Sequence, residues 1–115
     1  MNKYLILYRG EIPTGVTVTE LFANTPPEQL EAGLKMWSAW YDKCGSAIVD
    51  RGTPLDNSTI VSGGASAPNI TPTMGYTILQ AGSLEEAVAL MKDHPHFYAP
   101  GASVEILECV RLPGM

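Results

Sequence analysis

Two cysteines, two histidines and seven cationic side chains are all that 115 residues offer, and each shortage removes a class of function. Two thiols, Cys44 and Cys109, are too few for the disulfide framework of a small secreted domain, and they read as buried thiols of a reducing cytoplasm. No run of Lys or Arg occurs and the net charge is −5, so a nucleic-acid partner would be repelled. The opening segment is apolar only from Tyr4 to Tyr8, too short for a signal-peptide core or a membrane span. A cytoplasmic protein with no membrane partner is therefore expected. A phosphate-binding loop is missing as well: "SGGASA" lacks the lysine and the helix start that such a cradle needs. Ser62 and Ser66 lack the strand-turn-helix setting of a nucleophile elbow.

What is present is a chain of 45% hydrophobic and 17% charged residues, the balance of a soluble globular protein. Its length suits one domain, residues 1–115, with enough core to fold without metal or disulfide. "KYLILY" (3–8) reads as a buried strand ended by Arg9-Gly10, and "GEIPTGVTVTE" as a loop. A helix is predicted from Thr25, which caps it, with Pro26 in the first helical position and Glu28 completing a T-x-x-E box. Leu30, Leu34, Trp37, Tyr41 and Cys44 form a stripe expected to pack on a sheet, until Gly45 ends the helix. Trp40 falls beside the stripe and is expected to face a pocket or a partner subunit.

"SAIVDRG" (46–52) and "STIVSGG" (58–64) read as strands joined through the turn residues "TPLDN". The uncharged "GGASAPNITPTMG" (63–75) reads as a loop, a lid or a dimer contact. "GYTILQA" (75–81) is a strand, and Ser83-Leu84-Glu85-Glu86 is a second capping box. Leu84, Ala87, Val88 and Met91 give the buried face of the helix that follows. Pro95 stops that helix, and "ASVEILECV" (102–110) is the last strand. The succession condenses to β-α-β-β-α-β, a ferredoxin-like α+β sandwich with two helices on one face of an antiparallel sheet. The other face is left uncovered, and in so apolar a chain a second copy is expected to hide it, giving a homodimer.

The segments "KYLILYRG", "WSAWYDKCGSAIVDRGTPL" with "STIVSGG", and "AGSLEEAVALMKDHPHFYAPGASVEI" resemble the YCII-related, DGPF-type domain family over most of the chain. The resemblance implies a dimeric α–β barrel in which two sheets face one another around a cleft. It also implies a small enzyme with a His/Asp pair in that cleft. The DGPF tetrapeptide itself is absent, with "ASAPNITPTM" in its place, so its acidic group does not carry over.

The chemistry-bearing residues are few. His94 and His96 flank Pro95, and an imidazole titrates near neutrality, as a general acid or base must. His94 has an alternative role, capping open carbonyls at the end of the preceding helix. Asp50, near the end of "AIVDRG", is the candidate partner that would orient an imidazole, with Asp56 a weaker turn residue. Tyr4, Tyr8 and Tyr76, together with Trp40, are candidates for lining a substrate cleft, although core packing would explain each tyrosine equally. Asp93, His94 and His96 lack a distant third ligand, so no metal and no cofactor are expected. Two functions fit these residues. One is a small cofactorless enzyme moving protons on a small organic molecule, as a lyase or isomerase does. The other is a dimeric module that binds a small ligand or another protein without turnover.

Overall fold

β1 (Asn2–Arg9) buries Tyr4, Ile6 and Tyr8 on one side, while the residues between them keep part of their surface. A strand covered by helices on one face has this period of two. β5 (Thr73–Ala81) lies antiparallel along β1, from Asn2↔Ala81 to Tyr8↔Gly75. β6 (Ser103–Cys109) pairs with the other edge of β1, and the short β2 (Ile48–Asp50) pairs with β5. The computed structural model describes residues 1–114 and shows an α+β chain built on this four-stranded antiparallel sheet, in the order β2-β5-β1-β6. Three α-helices accompany it: α1 (Val18–Ala23), α2 (Pro27–Cys44) and α3 (Leu84–Leu90). The core lies between sheet and helices, where Tyr4, Ile6, Tyr8, Leu79 and Ala81 meet Trp40, Ala87 and Met91. No helix is long and apolar enough to cross a membrane among the described residues.

The caps show how local chemistry sets the helix ends. The Ser83 hydroxyl accepts the Glu86 N–H, and the Glu86 carboxylate reaches back to the Gly82 N–H at 2.7 Å. Gly45 closes α2 with a positive φ of 55°, a conformation open to glycine. The box expected at Thr25 does not form. Pro26 holds the cap position of α2, and the Thr25 hydroxyl donates to the Leu21 carbonyl. A serviceable cap forms earlier instead: the Thr17 hydroxyl accepts the Glu20 N–H and starts α1, a helix that begins within the stretch expected to be loop.

Strand pairing departs from expectation at the middle of the chain. β3 (Ser58–Ser62) does not join β2; it folds on β4 (Ala65–Asn69) as a separate two-stranded arm, part of the segment expected to be loop. Pro68 is tolerated there because a ribbon with open edges needs no ladder hydrogen from it. The arm leaves Ile60 and Val61 exposed and stretches the molecule, whose radius of gyration of 15.8 Å exceeds the ~13 Å of a compact domain of about this size. Two other burial expectations fail. Leu84 and Val88 of α3 are about half exposed, and Cys109 is an exposed thiol, whereas Cys44 is partly buried.

The sheet face away from the helices carries an apolar strip, which Leu7 and Tyr76 extend in the neighbouring row. Leu107, Leu5 and Ile78 stand side by side across β6, β1 and β5. Polar groups border it, including Lys3, Gln80 and an Arg9–Glu105 ion pair at 2.8 Å.

Candidate functional site

Pro95 cannot extend α3, and Asp93 just ahead of it adopts a left-handed φ of 61°. The chain turns there and winds into a 3-10 helix, Pro95–Tyr98, packed against α2. His94 caps the start of this helix, not the end of α3: its Nδ1 accepts the His96 backbone N–H at 2.9 Å. A neutral ring that accepts on Nδ1 carries its hydrogen on Nε2, which donates to the Tyr8 hydroxyl at 3.1 Å. Tyr8 then donates to Thr77 Oγ1 at 2.9 Å, and Thr77 donates to the Arg51 carbonyl at 2.9 Å. A carbonyl can only accept, so every bond in the relay points the same way.

The relay is sealed. His94, Tyr8 and Thr77 are buried, and the His94 ring lies 4.2 Å from the Trp40 ring centre and 4.6 Å from that of Trp37. Burial, followed by the neighbouring His96, lowers the His94 imidazole to about 4. Burial also raises the Tyr8 phenol far above its usual value, against the smaller opposing effect of the Thr77 hydrogen bond. Both groups are therefore neutral at physiological pH, and His94 has no nitrogen left for a substrate.

His96 is bonded differently. Its Nε2 donates to the Arg9 carbonyl at 2.8 Å, which leaves Nδ1 as the acceptor in the neutral ring. Nδ1 has no protein partner among the described residues, yet it is not a buried unsatisfied atom, so solvent reaches it. His96 lines a cavity of about 390 Å³ on the helix-covered side of the sheet. The cavity exists because α2 grips the core through its C-terminal half. Trp40 is buried, Trp37, Tyr41 and Cys44 pack partly against the core, and Leu34, expected to pack on the sheet, is 60% exposed and forms cavity wall with Leu30. Gly33 on the same helix, and Gly52 and Gly75 on the facing wall, add no bulk.

A larger open groove of about 630 Å³ runs between residues 12–18 and the root of the arm. Its one carboxylate, Asp56, accepts the Thr19 hydroxyl and the Val18 and Thr19 N–H groups, bonds that hold it below the usual carboxyl range. That carboxylate anchors α1 and has little capacity left. The smaller cavity is where unengaged chemistry lies.

The residues singled out by sequence scatter accordingly. His96 and Tyr8 line the cavity; Tyr76 borders it from β5, with its hydroxyl turned to the bare face beside Asp50. His94 stands behind its wall, and Tyr4 and Trp40 are core, the Trp40 indole N–H donating to the Leu90 carbonyl at 2.9 Å. Asp50 does not meet either imidazole. It lies opposite Ile78, on the bare side of the sheet, where it accepts the Gly52 N–H at 2.8 Å and sits 3.4 Å from the Tyr76 hydroxyl. The sheet separates it from the histidines, and no carboxylate bonds to either ring among the described residues. Nor do three metal-ligating side chains converge among the described residues. Sequence reading gave no site role to Thr77 or Arg51, and it expected Trp37 and Tyr41 to pack on the sheet, whereas both line the cavity. Thr77 is a polar residue at an inward position of an alternating strand, a signal that it needs a buried partner, although nothing in the sequence names which one.

No protein-family model matches the chain, and none of the curated proteins compared with it matches either.

Proposed function

We propose that this chain is a small cofactorless enzyme that moves a proton on a small organic molecule, with His96 as the base. One observation carries the reading: a buried imidazole, held by a carbonyl on Nε2, offers an unpartnered Nδ1 beside a mostly apolar cavity. A carbon-bound proton of the guest passes to Nδ1, while the Nε2 hydrogen stays on the Arg9 carbonyl and keeps the ring in place. Return of that proton to another carbon gives an isomerase, and loss of a leaving group gives a lyase. No covalent nucleophile is required.

The test is proton–deuterium exchange in heavy water, followed by NMR, on a panel of enolisable oxo acids and unsaturated lactones. Wild-type protein is expected to exchange at least one of them, and His96→Gln to lower the rate about a hundredfold. That no carboxylate bonds to either ring among the described residues favours a second reading, a module that binds without turnover. Panel members that bind but never exchange would decide for that module.

The strand order β2-β5-β1-β6 supports the ferredoxin-like arrangement. We further propose that two copies meet through the strip of Leu5, Ile78 and Leu107, because water contact with such a strip is unfavourable and a two-fold axis covers both copies at once. The site does not depend on that pairing, since its cavity is formed within one chain. Sedimentation at micromolar concentration is expected to give a dimer for the wild type and a monomer for Ile78→Lys. A wild-type monomer would overturn the pairing.

A further inference from the structure

We propose that the cavity takes a planar aromatic or conjugated anion, its carboxylate or phenolate held by Arg51 and its ring laid against Trp37 and Tyr41. This deepens the small-molecule reading above and rests on it. Charge is the first observation. Among the described residues lining the cavity, Arg51 is the one side chain of fixed charge, and none is a carboxylate. A chain of net charge −5 thus presents a cation at this cavity.

The second observation is how Arg51 is held. Its guanidinium lies over the Tyr41 ring, 4.8 Å from the centre, which favours a fixed plane for the fork. The fork is hardly occupied. Asp42 Oδ1 is 3.7 Å from one nitrogen, beyond hydrogen-bond range, and the two side chains are 58% and 77% exposed. A guest carboxylate can therefore take both parallel N–H bonds, which Asp42 does not.

The walls supply the third observation. Phe22 and Leu34 line the cavity with 43% and 60% of their surface open, so apolar area is available that the protein does not cover itself. Trp37 and Tyr41 stand 6.2 Å apart with ring planes tilted by 46°, offering aromatic surface to a flat guest. A volume of about 390 Å³ lies at the small end of ligand cavities and suits one or two fused rings. A cationic guest would face Arg51, and an aliphatic one would forgo the rings.

The experiment titrates the full chain with 2-naphthoate and with its neutral counterpart 2-naphthamide. Calorimetry gives affinity, and the two tryptophan indole N–H resonances give location. Naphthoate is expected to shift the Trp37 resonance more than that of Trp40, which is bonded inside the core. It should bind at least about tenfold tighter than naphthamide, and Arg51→Met should erase that advantage, weakening naphthoate far more than naphthamide. Equal affinities for the two probes in the wild type, or unchanged naphthoate affinity in Arg51→Met, would overturn the anion and leave the cavity reading standing. If neither probe moves the Trp37 resonance, the cavity reading falls and this inference falls with it.

Discussion

Replacing His94 with alanine is expected to lower stability by about 4 kcal/mol, measured by denaturant unfolding at neutral pH. The variant removes a ring packed against Trp37 and Trp40, and it strands two buried polar groups, the Tyr8 hydroxyl and the His96 N–H. His94→Phe restores most of the volume without the hydrogen bonds, so it should recover about half the loss. Acid separates the two causes further. The folded chain holds His94 at about 4 against an ordinary 6.5, so between these values the unfolded state binds the extra proton. Wild-type stability should be intact above pH 6.5 and should decline as pH falls towards 4. The full shift corresponds to about 3 kcal/mol; we expect about 2, because water in the adjoining cavity screens the charge. His94→Phe should lose this part of the pH dependence. Equal wild-type stability at both ends of the window would mean that the folded ring takes up the proton, and the direction assigned to the relay would be wrong.

Gly52→Ala is expected to remove about 4 kcal/mol or more, a large share of the stability of a domain this size. Gly52 has a φ of +74°, and a Cβ there would overlap the Tyr76 carbonyl oxygen. That carbonyl belongs to β5, whose backbone is held by its pairing with β1 at Leu7↔Tyr76 and Ile6↔Thr77, so it cannot swing away. Relief would require the 51–54 segment to lift off β5, opening the cavity wall and pulling the Arg51 carbonyl from Thr77. Unfolding by urea measures the loss. An alanine variant within about 1 kcal/mol of the wild type would show that the close approach is not a constraint.

Sequence alone reveals features governed by neighbouring residues. β1 follows from its short apolar run, β6 from its alternation, the Ser83 box from two side chains within reach of each other, and the end of α2 from Gly45. Distant pairing is a different matter. Nothing local distinguishes β3 as a partner of β2 from β3 as a partner of β4, and Pro68 argues against the strand that in fact forms. At Thr25 the local signal was correct in kind but misplaced. A competing cap at Thr17 starts a helix whose last turn then claims the Thr25 hydroxyl. The site shows the same division. The two histidines were visible as a pair, but their separate roles depend on which partner meets each nitrogen, Tyr8 for one and the Arg9 carbonyl for the other. Asp50 was an attractive partner in a linear reading, yet the parity of β2 places it on the opposite face.

The Tyr8 hydroxyl is fully engaged from behind, receiving a hydrogen from His94 and giving its own to Thr77. A molecule entering beside it meets a phenol with no hydrogen to give, so that stretch of wall acts on the guest much as hydrocarbon would. Discrimination among guests then passes to the few side chains whose polar ends are still uncommitted.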